Sequence, residues 1–178
     1  MTRSAVVPIL LAAVVSCLMT GCSEGRRPAK PSANVAPGQS GENVDEVKKA
    51  ELIESLSSQD PPQIVPITRF FDGNDDLGSI GCNLIEHPGI DQFRETLVGL
   101  LNRADVDAVF TQIAELDPGE GCWPFANTVL VVGTIPAEEL KHVLSPLQPD
   151  EVGTGKEFGA PPDFLKKQQA PVLAAWWD

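Results

Sequence analysis

The sequence predicts an α+β domain of the ferredoxin-like βαββαβ type, a four-stranded antiparallel sheet with two helices on one face. Three observations predict it. Residues 127–134, NTVLVVGT, are apolar on both faces, as a strand buried from two sides must be. Residues 91–103, DQFRETLVGLLNR, repeat Phe93, Leu97, Leu100 and Leu101 at i, i+4, i+7 and i+8, which is one face of a helix. Strand-like and helix-like segments alternate in the order β-α-β-β-α-β from residue 79 to the last residue.

The first strand is expected at residues 79–85, SIGCNLI, where Ile80, Cys82 and Leu84 alternate with Gly81, Asn83 and Ile85. Before it, residues 63–71, QIVPITRFF, read either as an extended piece or as the entry to a helical turn at Thr68. His87-Pro88-Gly89 turns the chain into the first helix. Residues 108–116, AVFTQIAEL, have a β-rich centre of Val109, Phe110, Thr111 and Ile113 and are expected as the second strand; an extension of the helix is the alternative. The stretch DPGEGCWPFA is a connection broken by Gly and Pro. After the third strand, Pro136 suits a first helical turn, and Glu138 and Glu139 suit its positive end. That helix carries Leu140, Val143 and Leu144. Residues 145–169 read as loop, and residues 171–178, PVLAAWWD, as the fourth strand. Right-handed crossovers make the first and third strands neighbours.

With 178 residues and 16 prolines, the chain has room for one domain. Its first segment, MTRSAVVPILLAAVVSCLMTGC, has a basic Arg3, an apolar run from Ala5 to Met19, then Thr20-Gly21-Cys22. This resembles a bacterial lipobox, although Met19 stands where Leu is usual. The resemblance implies a signal peptide over residues 1–21 and a lipidated Cys22 as first mature residue, with palmitate among its acyl chains. Val14-Val15-Ser16-Cys17 fits the same pattern, but polar residues follow Cys22 at once. An ordinary signal peptide with a stray cysteine is the plain alternative. Lipidation implies an extracytoplasmic protein held to a membrane of the cell envelope, periplasmic in exposure, in a compartment where thiols tend to pair.

Residues 22–62 are expected as a tether and residues 63–178 as the domain. SEGRRPAKPSANVAPGQSG, residues 23–41, has too few large apolar residues to fold. In residues 45–57, Val47, Ala50, Ile53 and Leu56 recur at helical spacing, a thin stripe for a short helix. The chain's net charge is −12, and loss of Arg3 with the signal takes it to −13. Such a field repels nucleic acid and favours a divalent cation or a basic protein partner.

The chemistry-bearing residues are few. Asp72-x-Asn74-x-Asp76 occupies the first three ligand positions of a calcium loop, but position six is Leu77 and position twelve is Asn83. The plainer reading is a tight turn, which needs the same residue types. Asp75 and Asp76 form a candidate carboxylate pair. Cys82 and Cys122 are a candidate disulfide closing a loop of about 40 residues, worth roughly 2–4 kcal/mol. His87 with Asp75, Asp76 or Glu86 is the one conceivable zinc set. Trp176 and Trp177 are neighbours in a strand, so one ring faces away from the helices as a candidate binding surface. Residues 63–71 or 145–169 are the segments available to cover it.

FFDGNDDLGSIGCNL, CWPF, PLQPDEVG and AAWWD together resemble an uncharacterised bacterial family over about residues 64–178. The resemblance implies no activity. The expectation is a membrane-tethered interaction or scaffold module with no cofactor; the alternative is a cation-binding module or a hydrolase using residues 72–76.

Overall fold

The computed structural model describes residues 44–178. The signal, Cys22 and residues 23–41 lie outside the described residues. Five strands form one antiparallel sheet: β1 (Ile64–Pro66), β2 (Val106–Glu115), β3 (Phe125–Gly133), β4 (Glu151–Thr154) and β5 (Val172–Trp176). Their order is β1-β2-β3-β5-β4. The central strand is β3, whose two faces are both covered. Val129 and Val131 enter the larger core, while Leu130 enters a smaller one behind the sheet. That is the physical content of its unbroken apolar run.

Among the described residues, five α-helices accompany the sheet: α1 (Glu46–Leu56), α2 (Ile67–Phe70), α3 (Ile90–Gly99), α4 (Ala137–Leu144) and α5 (Pro162–Lys167). A 3-10 turn, Leu100–Asn102, continues α3. The larger core takes Leu52 and Leu56 from α1, Ile67 and Phe70 from α2, and Phe93 and Leu97 from α3. Leu140 and Leu144 of α4 complete it. On the opposite face, residues 155–167 lay Phe158, Ala160 and Phe164 over Phe110, Leu130 and Ala174. The Phe110 and Phe164 rings meet edge to face at 5.1 Å. Of the two covers expected for that face, the C-terminal one supplies most of it, and Ile64 of the other packs against its edge.

The class is α+β, but the topology is not the four-stranded ferredoxin-like one. Residues 79–85 do not form a strand. Ile80 makes one parallel bridge to Ala126, and Gly81 then turns the chain at φ +66°. A side chain at Gly81 would sit 2.7 Å from Cζ of Phe93, so the turn needs glycine for space as well as conformation. The expected contact between first and third strands survives as that single bridge. The place of the first strand is taken by Ile64–Pro66, which pairs antiparallel with β2 and leads directly into α2, so both readings of residues 63–71 hold in succession. Since β1 and β2 are adjacent, the link between them is no crossover. The fifth strand, β4, arises within residues read as loop, where Val152 is its one large apolar residue.

Helix α1 belongs to the folded unit and not to a tether. Asp45 caps it, its Oδ1 accepting from Val47 N and Lys48 N at 3.1 and 3.2 Å. The buried stripe is Lys49, Leu52 and Leu56, whereas Val47 is 70% exposed. The stripe expected from Val47 to Leu56 is rotated because Lys49 turns inward: its stem is covered, and Nζ donates to the Gly119 carbonyl at 2.6 Å. The folded unit therefore starts upstream of Gln63.

Both sheet edges are blunted. Pro66 has no N–H to offer beyond β1. At β4, Glu157 Oε2 accepts from Thr154 N and from Thr154 Oγ1, both at 2.8 Å. Those bonds, the backbone one first, hold the Glu157 carboxyl below its ordinary range. At the end of β3, Gly133 passes so close to Asp105 that a Cβ would fall 2.2 Å from its carbonyl oxygen, which accepts from Thr134 N at 2.8 Å. Arg103 grips the Asp105 carboxylate with two hydrogen bonds of 2.9 Å and reaches Glu139 of α4. The guanidinium's hydrogen bonds, opposed by partial desolvation, lower the Asp105 pKa.

Leu52→Ala is expected to cost about 2–5 kcal/mol in urea denaturation, as core truncations do, and Val47→Ala to cost almost nothing. Equal effects would remove α1 from the core. A carboxyl whose folded pKa is depressed stabilises above its unfolded value and stops doing so as pH falls through the folded one. Asp105→Asn is therefore expected to lower the melting temperature at neutral pH, with the gap from the parent closing on acidification; a gap independent of pH would refute the pairing.

Candidate functional site

The acidic loop follows α2 and was the first candidate for chemistry. Its side chains diverge. Asp72 points to Lys48 of α1, whose pKa rises through that hydrogen bond and charge. Asn74 is wholly buried; its Nδ2 donates to Ser79 Oγ at 3.0 Å and its Oδ1 accepts from Asp76 N at 3.1 Å. Asp75 accepts from Arg94 Nη2 of α3 at 2.7 Å. Arg94 also donates to the Asn74 carbonyl and to Asp91, and its guanidinium lies 5.8 Å from the Phe71 ring centre. Asp76 is 6% exposed. Its Oδ1 accepts from Gly78 N and caps the 3-10 turn Leu77–Ser79, while Oδ2 accepts from Trp123 N, both at 2.7 Å.

The three calcium-loop positions are thus turned to three separate partners: Lys48, Ser79 and Trp123. Asp75 and Asp76 face different neighbours and form no catalytic pair. Among the described residues, no three His, Cys, Asp or Glu side chains gather as a metal requires. The geometry is that of a clamp. A 47-residue reach in sequence, from Asp76 to Trp123, is closed by one carboxylate.

His87 braces the turn that follows. Its Nε2 donates to the Ile80 carbonyl at 2.9 Å and its Nδ1 accepts from Gly89 N at 3.0 Å. Both nitrogens are engaged within the turn, and the ring packs 5.2 Å from Phe93. The zinc set with Asp75, Asp76 and Glu86 is not assembled.

Cys82 and Cys122 are exposed free thiols and not the expected disulfide. The strand that was to hold them side by side stops at Ile80, and the Gly81 turn carries Cys82 outward. They share an apolar groove of about 330 Å³ with Trp123 and Phe125.

Trp177 is 2% exposed, and its Nε1 donates to the Leu147 carbonyl at 2.7 Å. Its ring meets Phe93 at 5.6 Å. It is core, and drops out as a binding surface. Trp176 lies on the other side of the sheet, half-buried and stacked 6.5 Å from Phe158.

A site that residue patterns did not single out lies where β2 and β3 slip register. Gln112 is opposite Thr128 but Ile113 is opposite Ala126, so Asn127 is an extra residue, a β-bulge. Beside it is a groove of about 480 Å³ with no charged residue in its wall. Gln63, Gln112 and Asn127 supply amides; Pro61, Pro62 and Leu116 supply apolar surface. Gln63 is 8% exposed, an unusual burial for glutamine. The signal in the sequence is two glutamines, Gln63 before an apolar run and Gln112 within one. A larger, shallower groove of about 640 Å³ runs between α2 and α3, where Arg94 is already held by Asp75 and Asp91.

A family model described as the Uncharacterized protein YfbO family matches residues 47–175. The chain belongs to the YfbO family. The match begins inside α1 and runs into β5, so the family segment coincides with the folded unit and includes the helix before Gln63. A relative in Escherichia coli (strain K12), "Uncharacterized protein YfbO", is 26% identical over 123 residues, covering 66% of this chain and 84% of that protein. No solved structure matches. The YfbO family brings no assigned activity.

Asp76→Ala is expected to cost about 3 kcal/mol, because the buried Trp123 N–H and the part-buried Gly78 N–H both lose a charged acceptor. Asp75→Ala, which removes a half-exposed ion pair, is expected to cost less than about 1 kcal/mol. Urea denaturation followed by tryptophan fluorescence measures both, and similar losses would contradict the clamp.

Proposed function

We propose that the protein is a lipid-anchored, extracytoplasmic binding module: a small α+β domain held at an envelope membrane through acylated Cys22. The single observation that carries this reading is the order of residues from Arg3 through the apolar run to Thr20-Gly21-Cys22. More than one acyl chain on that cysteine gives lasting attachment, since each buried methylene contributes about 0.8 kcal/mol. Residues 23–41, rich in Pro, Ser, Gly and Ala, separate the anchor from the domain.

The state of the acidic loop supports recognition over catalysis. Its carboxylates are tied to Lys48, Arg94, Gly78 and Trp123, and what the loop does with them is hold two connections together. A hydrolytic or cation-binding use of residues 72–76 would have to undo that clamp. The groove at the β2–β3 bulge lies elsewhere, with none of these residues in its wall. The mature net charge of −13 favours basic partners and keeps the domain off anionic headgroups and nucleic acid.

Metabolic labelling with a palmitate analogue tests the anchor. Incorporation is expected in the parent and in Cys17→Ala, together with recovery in the membrane fraction. Cys22→Ala is expected to abolish both. Undiminished labelling of Cys22→Ala would end this reading.

A further inference from the structure

We infer that the groove at the β2–β3 bulge binds an uncharged, hydroxyl-rich ligand, a neutral saccharide unit. The inference supplies a ligand class for the binding module proposed above and rests on that reading for the premise that the domain binds something.

The first support is an orphaned acceptor. Gln112 lines the groove, and its Oε1 is buried with no donor. Its Nε2 donates to the Phe158 carbonyl at 3.4 Å. Turning the amide over would bring two oxygens together at Phe158, so the unpartnered atom is the acceptor. An unpaired buried acceptor is costly, and a rotation of the Gln112 side chain toward the groove would let a ligand O–H supply what it lacks. Gln63 adds a second amide, more than nine-tenths buried, whose one hydrogen bond is a long 3.5 Å contact from Nε2 to the Gln59 carbonyl. Its oxygen has no partner among the described residues.

The second support is charge. The chain holds 25 acidic and 13 basic residues, yet no charged side chain lines this groove. A cation finds no carboxylate there, and an anion finds no Lys or Arg. Primary amides both donate and accept, as neighbouring sugar hydroxyls do, and Gln63, Gln112 and Asn127 present three of them. Pro61, Pro62 and Leu116 offer apolar surface to the C–H faces of a ring. The volume is within the usual range for small-ligand sites, about 300–1,000 Å³. An added peptide strand fits less well, because Pro62 and Pro66 remove N–H donors from the edge it would join.

The test uses the full chain in detergent micelles, with nitrogen labelling to follow side-chain amide resonances. Chitotriose, maltotriose and cellotriose are each titrated to millimolar concentration. At least one is expected to shift the Gln63, Gln112 and Asn127 amides saturably. Gln112→Leu is expected to weaken that binding about tenfold, the effect of one good hydrogen bond. Its melting temperature should stay close to the parent's, since an unpaired buried acceptor goes together with the long Nε2 contact to Phe158. The proposal is overturned if no saccharide shifts these resonances, if Gln112→Leu binds as the parent does, or if an uncharged capped alanine tripeptide shifts them in place of the sugars. Palmitate labelling is read on the same samples, so loss of the anchor and loss of the groove are told apart.

Discussion

One buried carboxylate organises the part of this protein that lies outside regular structure. Asp76 accepts from Gly78 N on its own turn and from Trp123 N on the connection between β2 and β3. Trp123 is 1% exposed and sits in the larger core. Fixing its backbone therefore fixes how the connection closes over the sheet. Asn74 and Ser79 complete the turn from inside, and Arg94 secures it from α3. A carboxylate so placed is costly unless every neighbour donates to it, which is why the surrounding side chains are committed to the loop's own bonds.

The sheet follows a simpler constraint. Its central strand is apolar on both sides and needs two covers. Four helices provide one. The other is a short helix and a bend, residues 155–167, pressed on by Phe158 and Phe164. The two tryptophans near the C-terminus divide between these layers, Trp177 under the helices and Trp176 against Phe158.

Much of this was legible in residue patterns. Strands β2, β3 and β5 and helices α3 and α4 were placed within a few residues, because each has a period that burial reinforces. Misplacement came where a pattern was present but the environment was not. Ile80, Cys82 and Leu84 alternate like a strand, yet Gly81 takes a left-handed turn after one bridge, and Cys82 ends in solvent. In α1 a lysine occupies the inward stripe, and hydropathy alone assigns lysine to water. Strand β4 carries almost no apolar signal because it is an edge held by its ladder to β5. The calcium-like spacing of Asp72, Asn74 and Asp76 was readable as a turn, but which partners the turn would find was not. Those partners lie 24, 5 and 47 residues away. The bulge at Asn127 depends on how two strands register, which no single segment encodes.

On the proposed lipid anchor the guarded rims of the sheet would matter most, because the molecule would then be confined to a plane. Neighbours on a membrane meet at concentrations far above those in free solution, and open strands would then join side to side. A proline at one rim and a glutamate folded onto the other leave such encounters with nothing to extend. Copies crowded on a shared surface would stay separate, each free to meet a different molecule.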